Sequence, residues 1–127
     1  VDLLDIVKLV EGWIADVQPD TIYTHHPGDL NIDHALTFRA TITATRPGVS
    51  RVHVPDVLAF EIPSSTDWAF GRLGPAFQPS VFVEASAGLD RKVAAMECYD
   101  SERRPAPHPR SPDVLRATAC RALKRLN

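Results

Sequence analysis

The sequence predicts an α/β fold in which helices flank a mainly parallel sheet. Amphipathic helical segments alternate along the chain with short segments rich in β-branched residues, which is the pattern of that class. An early helix also passes into a strand after a two-residue break, a connection typical of parallel sheets. With 127 residues, of which 44% are apolar, we expect residues 1–127 to belong to a single domain with one hydrophobic core.

The first predicted helix is VDLLDIVKLVEGWIADV, whose apolar residues recur every three or four positions. Such spacing gives a helix one apolar face that packs on the core. We assign these residues to that face: Leu3, Ile6, Val7, Val10, Trp13, Ile14 and Val17. Pro19 and Asp20 end the helix. The β-branched and aromatic residues of TIYTH, residues 21–25, predict the strand that follows.

The middle of the chain predicts a loop, a helix and two further strands. HPGDLNID is a predicted loop with Pro27 and Gly28 as turn residues and with Asp29, Asn31 and Asp33 as possible helix caps. HALTFRATITATR is a predicted helix that ends at the Pro-Gly pair of positions 47–48. A second strand is expected around Val57–Ile62, and VFVEAS, residues 81–86, is expected to add a third strand to the sheet.

The last part of the chain predicts two helices separated by an extended segment. LDRKVAAMECYDSE places its apolar residues on one helical face. RRPAPHPR holds three prolines, which disfavour a helix. SPDVLRATACRALKRL is predicted to close the chain as a helix with Ser111 as N-cap and Pro112 at the first helical position.

Charge and cysteine content exclude several classes of protein. The formal net charge of -2 lacks the basic surplus of a nucleic-acid binder. No apolar run approaches the roughly 18 residues of a membrane span. We also expect no signal peptide, because the first residues lack a basic start followed by an apolar centre. Cys98 and Cys120 lack the spacing of a redox or zinc motif, so we expect small buried or half-buried thiols in a cytoplasmic setting rather than a disulfide.

The segment YTHHPGDLNIDHALTFRA holds three of the five histidines of the chain together with two aspartates and an asparagine. Imidazole and carboxylate groups are the usual ligands of zinc or iron in a hydrolytic centre. The predicted strand TIYTH delivers this segment at its carboxyl end, where open α/β sheets bind ligands. His34, in the first turn of the next helix, is therefore a candidate metal ligand.

Other roles for this segment stay open. Asp33 could orient an imidazole or accept backbone N–H groups as a helix cap, and Asn31 could be a turn residue. His25 and His26 could be exposed polar residues. One loop also cannot supply the three or so protein ligands of a catalytic zinc site. Of the remaining histidines, we expect His53 to be structural, whereas His108 precedes a helix and could reach the same edge of the sheet.

Four segments together carry a resemblance to a known family: THHPGDLNIDH, FEIPSSTDWAF, VFVEASAGLDRKVAAMECYDSE and PHPRS. They resemble the PIG-L/LmbE-like family of zinc-dependent N-acetylglucosaminyl deacetylases, and the likeness covers roughly residues 1–118 in the family's order. It implies a Rossmann-like fold and one divalent metal, usually Zn²⁺, held by two histidines and an aspartate. It also implies that residues 1–127 are the C-terminal portion of one deacetylase domain that lacks its first strand.

The resemblance assigns His34 as the metal ligand that ends the family's D-H motif, with Asp33 before it. Asn31 stands where many members have a further histidine, and its amide could donate a hydrogen bond to the oxyanion. The family takes its other two ligands and its aspartate base from an A-H-P-D-D motif, which is absent from these 127 residues. We therefore expect the chain alone to be inactive, and another chain or self-association to cover the part that it lacks.

Two further segments are candidates for the substrate rim. Ser64, Ser65 and Thr66 could bond sugar hydroxyls and Trp68 could stack on a sugar face, or the segment could be a strand-ending turn with a core tryptophan. In PHPRS, His108 and Arg110 are rim candidates, the arginine for an anionic group. The alternative for both is a solvated loop that caps the last helix.

The function that the resemblance implies is removal of the acetyl group from an N-acetylated sugar or glycoconjugate. A metal-bound water attacks the acetyl carbonyl after an aspartate has taken its proton. One alternative is a non-catalytic truncated domain that binds a ligand or partner. Another is a phosphoesterase, which would need carboxylates for two metals.

Overall fold

The computed structural model describes residues 2–48 and 53–123, with side chains up to residue 120. The chain divides into two compact units, Val1–Phe77 and Gln78–Asn127. The helices and strands are α1 (Leu3–Val17), β1 (Thr21–His25), α2 (Ile32–Ala44), β2 (Asp56–Phe60), α3 (Ser65–Trp68), α4 (Leu89–Glu97) and α5 (Pro112–Leu123). Two 3₁₀ turns, Ser86–Gly88 and Asp100–Glu102, flank α4. None of the described helices is long and apolar enough to cross a membrane.

Helix α1 begins at a reciprocal cap. The side chain of Asp2 accepts a hydrogen bond from the backbone N–H of Leu4, and the backbone N–H of Asp2 donates to the carboxylate of Asp5. These bonds satisfy donors that the first helical turn leaves without intrahelical partners. Gln18 ends the helix in the left-handed region, with φ of 51°, and the chain turns directly into β1.

The core of the first unit lies between α1, α2 and the sheet. Val7 and Ile14 of α1 are each 3% exposed, and Ala40 and Ala44 of α2 are fully buried. The small alanine side chains allow the two helices to approach closely, since little volume separates their backbones. Val54, just before β2, completes this buried cluster.

Two residues assigned to the apolar face of α1 lie outside the core, which corrects the sequence-based expectation. Trp13 is 64% exposed and Val17 is 72% exposed. Successive residues are about 100° apart around a helix, so Trp13 lies well to the side of its buried neighbour Ile14. The apolar stripe of α1 is therefore wider than the face that α2 and the sheet cover.

The described sheet has two parallel strands, with the register running from Thr21 opposite Asp56 to His25 opposite Phe60. The expected strand of residues 21–25 is confirmed. The second strand, expected around Val57–Ile62, is present but spans Asp56–Phe60, and the crossover between the two strands contains α2 as the α/β pattern predicts. Thr24 of β1 is buried, and its hydroxyl donates to Oγ1 of Thr41 of α2 at 3.4 Å. The carboxyl ends of both strands therefore meet at one edge.

The prediction of a third strand at residues 81–86 is wrong. Residues 81–85 adopt no regular secondary structure, and Ser86 begins a 3₁₀ turn. Val81 and Val83 are 57% and 73% exposed, so their alternation does not bury a face. A strand needs a neighbour for its backbone N–H and C=O groups, and the described part of the second unit contains no other strand to pair with.

The second unit contains α4 and α5, which contact each other. Ser111 is 1% exposed, and its hydroxyl accepts from the backbone N–H of Val114 at 3.4 Å, so its predicted role as N-cap is confirmed. Cys98 and Cys120 are free thiols, as expected, but both are exposed rather than buried. The buried side chains of these two helices are others, such as Val93 of α4 and Leu115 of α5.

The neighbours Ile14 and Trp13 give a direct test of where α1 packs. Replacing Ile14→Ala should lower the free energy of unfolding by about 2–5 kcal/mol because it leaves a cavity in the core. Replacing Trp13→Ala should cost less than about 1 kcal/mol, since that side chain lies largely in solvent. Urea unfolding followed by far-UV circular dichroism measures both, and a larger loss for Trp13→Ala would contradict this packing.

Candidate functional site

Two histidine rings lie against each other where β1 ends. His25 is the last residue of β1, and its ring stacks on that of His34 in the first turn of α2, with centroids 4.2 Å apart and planes 14° apart. Phe60, the last residue of β2, packs its ring against His25 at 5.2 Å. His34, the predicted metal ligand, thus lies at the carboxyl edge of the parallel sheet.

The carboxylate of Asp29 lies beside the His34 ring and is fully buried. Its Oδ1 accepts from the backbone N–H of Asn31 at 2.9 Å, and its Oδ2 accepts from the hydroxyl of Thr66 at 3.0 Å. Burial opposes the charged carboxylate, but the bonds from Asn31 and Thr66, together with His34, outweigh it and hold the pKa of Asp29 below its ordinary value. The site therefore contains a buried negative charge.

His34 faces this charge. Its Nδ1 lies 3.2 Å from Oδ1 of Asp29, within ion-pair distance but without the alignment of a hydrogen bond. The Nδ1 atoms of His25 and His34 are both buried without a hydrogen-bond partner. Burial lowers the pKa of His25, and the neighbouring His34 lowers it further, while Asp29 opposes the shift. These conditions favour a neutral ring at His25.

The two residues predicted to be catalytic, Asn31 and Asp33, lie at the start of α2. Asn31 is the N-cap, because its Oδ1 accepts from the backbone N–H of Asp33 at 2.9 Å. Asp33 is exposed in the first turn and is not the cap. The carboxylate that contacts the His34 ring belongs to Asp29, four residues earlier than the one predicted to orient an imidazole.

The predicted rim segment after β2 braces the histidine loop. The hydroxyl of Thr66 accepts from the backbone N–H of Ile62 at 2.8 Å and donates its proton to Asp29. The carbonyl of Ser65 accepts from the backbone N–H of Leu30 at 3.1 Å. The only proton of the Thr66 hydroxyl is thus already used inside the protein, so it is not available to a sugar oxygen.

Ser64 and Trp68 complete this segment. Ser64 is 1% exposed with φ of 78°, and its backbone N–H donates to Oδ2 of Asp67 at 3.1 Å. This geometry at Ser64, four residues after β2 has ended at Phe60, starts the short helix α3. Trp68 is 44% exposed, so the alternative of a core tryptophan is wrong.

A second brace joins the histidine loop to residues 74–77. Nε2 of the buried His26 lies 2.8 Å from the carbonyl oxygen of Pro75, and the His26 ring meets Phe77 edge to face. A side chain at Gly28 would place its Cβ 2.8 Å from that same oxygen. The two segments therefore touch through their backbones, which only glycine at position 28 permits.

The other candidate residues lie elsewhere. His53 is exposed just before β2. His108 and Arg110 belong to the second unit, where Nδ1 of His108 accepts from the backbone N–H of Arg110 at 3.1 Å and Arg110 forms an ion pair with Glu102. Arg110 also lines a pocket of that unit with Val93 and other residues.

The histidine cluster by itself does not complete a metal site. Across residues 2–48 and 53–123, no three His, Cys, Asp or Glu side chains are placed to hold one ion. The lone pairs of imidazole nitrogens lie in the ring plane, so two nearly parallel stacked rings direct them side by side rather than at a common point. His34 can serve as one ligand, and further ligands would have to come from elsewhere.

Sequence reasoning considered Asp29 only as a cap and missed its central position. The local signal is the Asp-x-Asn spacing of DLN, because an aspartate often accepts from the backbone N–H two residues on in a turn. Its partner Thr66 is 37 positions away, so the local pattern gives no sign of that bond. The contact of His26 with Pro75 spans 49 positions and is equally nonlocal.

Gly28 and Gly12 form a matched pair for testing the second brace. Gly28→Ala should lower the free energy of unfolding by about 1–3 kcal/mol, because backbone atoms of Pro75 leave no room for the methyl group. Gly12→Ala in α1 meets nothing within 4 Å and should raise it by about 0.5–1 kcal/mol. Equal effects in thermal or urea unfolding would show that the close approach at Gly28 is absent.

Comparisons with known proteins complete the description of this site. No family model, no curated protein and no solved structure matches the chain. The likeness to PIG-L/LmbE-like deacetylases therefore rests on the sequence segments given above. A function for the histidine cluster has to be argued from its own residues.

Proposed function

We propose that this chain is part of a divalent-metal-dependent hydrolase that removes the acetyl group from an N-acetylated sugar or glycoconjugate, with His34 as a metal ligand. The sequence resemblance supports this proposal because its D-H motif falls on Asp33 and His34. The observation that carries it is the pairing of the His34 ring with the fully buried carboxylate of Asp29. A carboxylate behind the imidazole is the usual setting of a metal-ligating histidine.

We further propose that an A-H-P-D-D segment supplies the remaining metal ligands and the general base. Together with His34, these ligands would bind Zn²⁺ or another divalent ion. That motif does not occur in the 127 residues, so another chain, or a longer form of this one, would supply it. The described residues would contribute one ligand and a rigid loop. The braces at Thr66 and Pro75 would hold that ligand in place.

For the substrate, we propose a contact with Trp68 rather than with Ser64, which is buried, or with Thr66. Trp68 is 44% exposed, and an indole ring can stack on the apolar face of a sugar. Asn31 uses its side-chain oxygen as a helix cap, and Thr66 uses its proton on Asp29. An anionic substrate group at Arg110 would have to compete with Glu102, which already pairs with that guanidinium.

A second candidate function is binding without turnover. Large apolar side chains of the first unit are exposed on α1 and β1: Trp13 is 64%, Val17 72% and Tyr23 64% exposed. Parallel sheets are normally covered on both faces, and exposed apolar surface of this kind is typical of an interface. This observation favours association with a second chain or a second copy.

Intact-mass and metal analysis of the purified protein tests the first proposal. We expect a companion segment that carries A-H-P-D-D and about one equivalent of zinc, the content of a mononuclear catalytic site. The His34→Ala variant should lose that zinc and the release of acetate from N-acetylglucosamine derivatives. His53→Ala, which changes an exposed histidine outside the cluster, is the control and should keep both.

Two results would count against the deacetylase proposal. Zinc that stays bound in His34→Ala would show that this histidine is not a ligand. A metal-free preparation of the 127 residues alone would favour the second candidate, and the partner would then be sought by measuring the chain's oligomeric state.

A further inference from the structure

We infer that Asp29 is a positioning residue that fixes the tautomer of His34, with the imidazole proton on Nδ1 and the lone pair on Nε2. Oδ1 of Asp29 is 3.2 Å from Nδ1 of His34, and the carboxylate is fully buried. A carboxylate oxygen can only accept a hydrogen bond. A lone pair on the facing nitrogen would meet it with repulsion, whereas an N–H meets it with attraction.

The surroundings hold Asp29 where this effect requires it. Its other contacts come from the backbone N–H of Asn31 and the hydroxyl of Thr66, so two fixed donors set the direction of the carboxylate. The stacked ring of His25 limits how far the His34 ring can tilt.

Asp33 does not share this role, although it is the immediate neighbour of His34 in sequence. It is exposed, and the contact that the structure gives to Nδ1 is made by Asp29. Nδ1 of His34 is buried, so the 19% exposure of the side chain belongs to its other atoms. With Nδ1 protonated, Nε2 is the ring nitrogen that can bind a metal or accept a proton. Its use for a metal rests on the proposed function, whereas the tautomer does not.

Long-range ¹H–¹⁵N correlation spectra of the imidazole rings test the inference in the ¹⁵N-labelled 127-residue chain. The sample contains a chelator and is kept at pH about 8 to disfavour the doubly protonated imidazolium. We expect the pattern of a protonated Nδ1 and a bare Nε2 for His34. Asp29→Asn, which keeps the shape but removes the charge, should shift the tautomer ratio toward Nε2–H by about fivefold, the difference between a charged and a neutral acceptor.

Asp33→Asn is the matched control, because it makes the same chemical change next to His34 without touching Nδ1. It should leave the tautomer ratio unchanged. A protonated Nε2 in the unmodified chain, or an equal shift in Asp33→Asn, would overturn the inference. The spectrum of the unmodified chain decides the question even if Asp29→Asn does not fold. Zinc titration of the same proteins after the chelator has been removed is a separate readout, so a failure of the metal proposal would not change the tautomer result.

Discussion

The buried carboxylate of Asp29 connects the parts of the first unit that would otherwise be independent loops. Through Asn31 it fixes the start of α2, through Thr66 it reaches α3, and through its contact with Nδ1 it meets the His34 ring. A buried charge without partners is strongly unfavourable. The loops after β1 and β2 must therefore adopt the conformation that surrounds this group with donors, and the histidine cluster is a consequence of that requirement.

A second set of contacts holds the same loop from its other end. The imidazole of His26 bonds to the carbonyl oxygen of Pro75, and Gly28 lies against Gly74 and Pro75 with almost no space between the backbones. A loop fixed at both ends presents its side chains with little conformational freedom, which is what a ligand-binding or catalytic group needs. His34 gains further from its place on α2, whose first turn is capped by Asn31.

The sequence was sufficient for features that depend on local pattern. The strand TIYTH, the helix that carries Ile14 and the cap at Ser111 follow from periodicity and capping rules, and all three are present. The expected strand at VFVEAS failed because β-branched residues favour a strand only when a neighbouring strand is available. Trp13 was misassigned because an apolar stripe does not reveal how much of it a partner will cover.

The candidate site was predictable in location but not in its internal roles. Strand order placed His34 at the carboxyl edge of the sheet, and the cluster of polar residues marked the loop. The local sequence does not show whether Asp29 or Asp33 is the carboxylate that contacts His34. Asp29 is held in place by a hydrogen bond from Thr66, which is distant in sequence. The Rossmann-like fold and the deacetylase activity remain predictions that rest on the sequence resemblance and on the geometry around His34.

The most direct test of this account is a double-mutant cycle between Asp29→Ala and Thr66→Val, measured as free energies of unfolding in urea. If the Asp29 carboxylate depends on the Thr66 hydroxyl, the double variant should lose about 1–2 kcal/mol less than the sum of the single losses, since each single change leaves the other group without its partner. Losses that add to within about 0.3 kcal/mol would show that the two residues do not interact. The central position of Asp29 would then be contradicted.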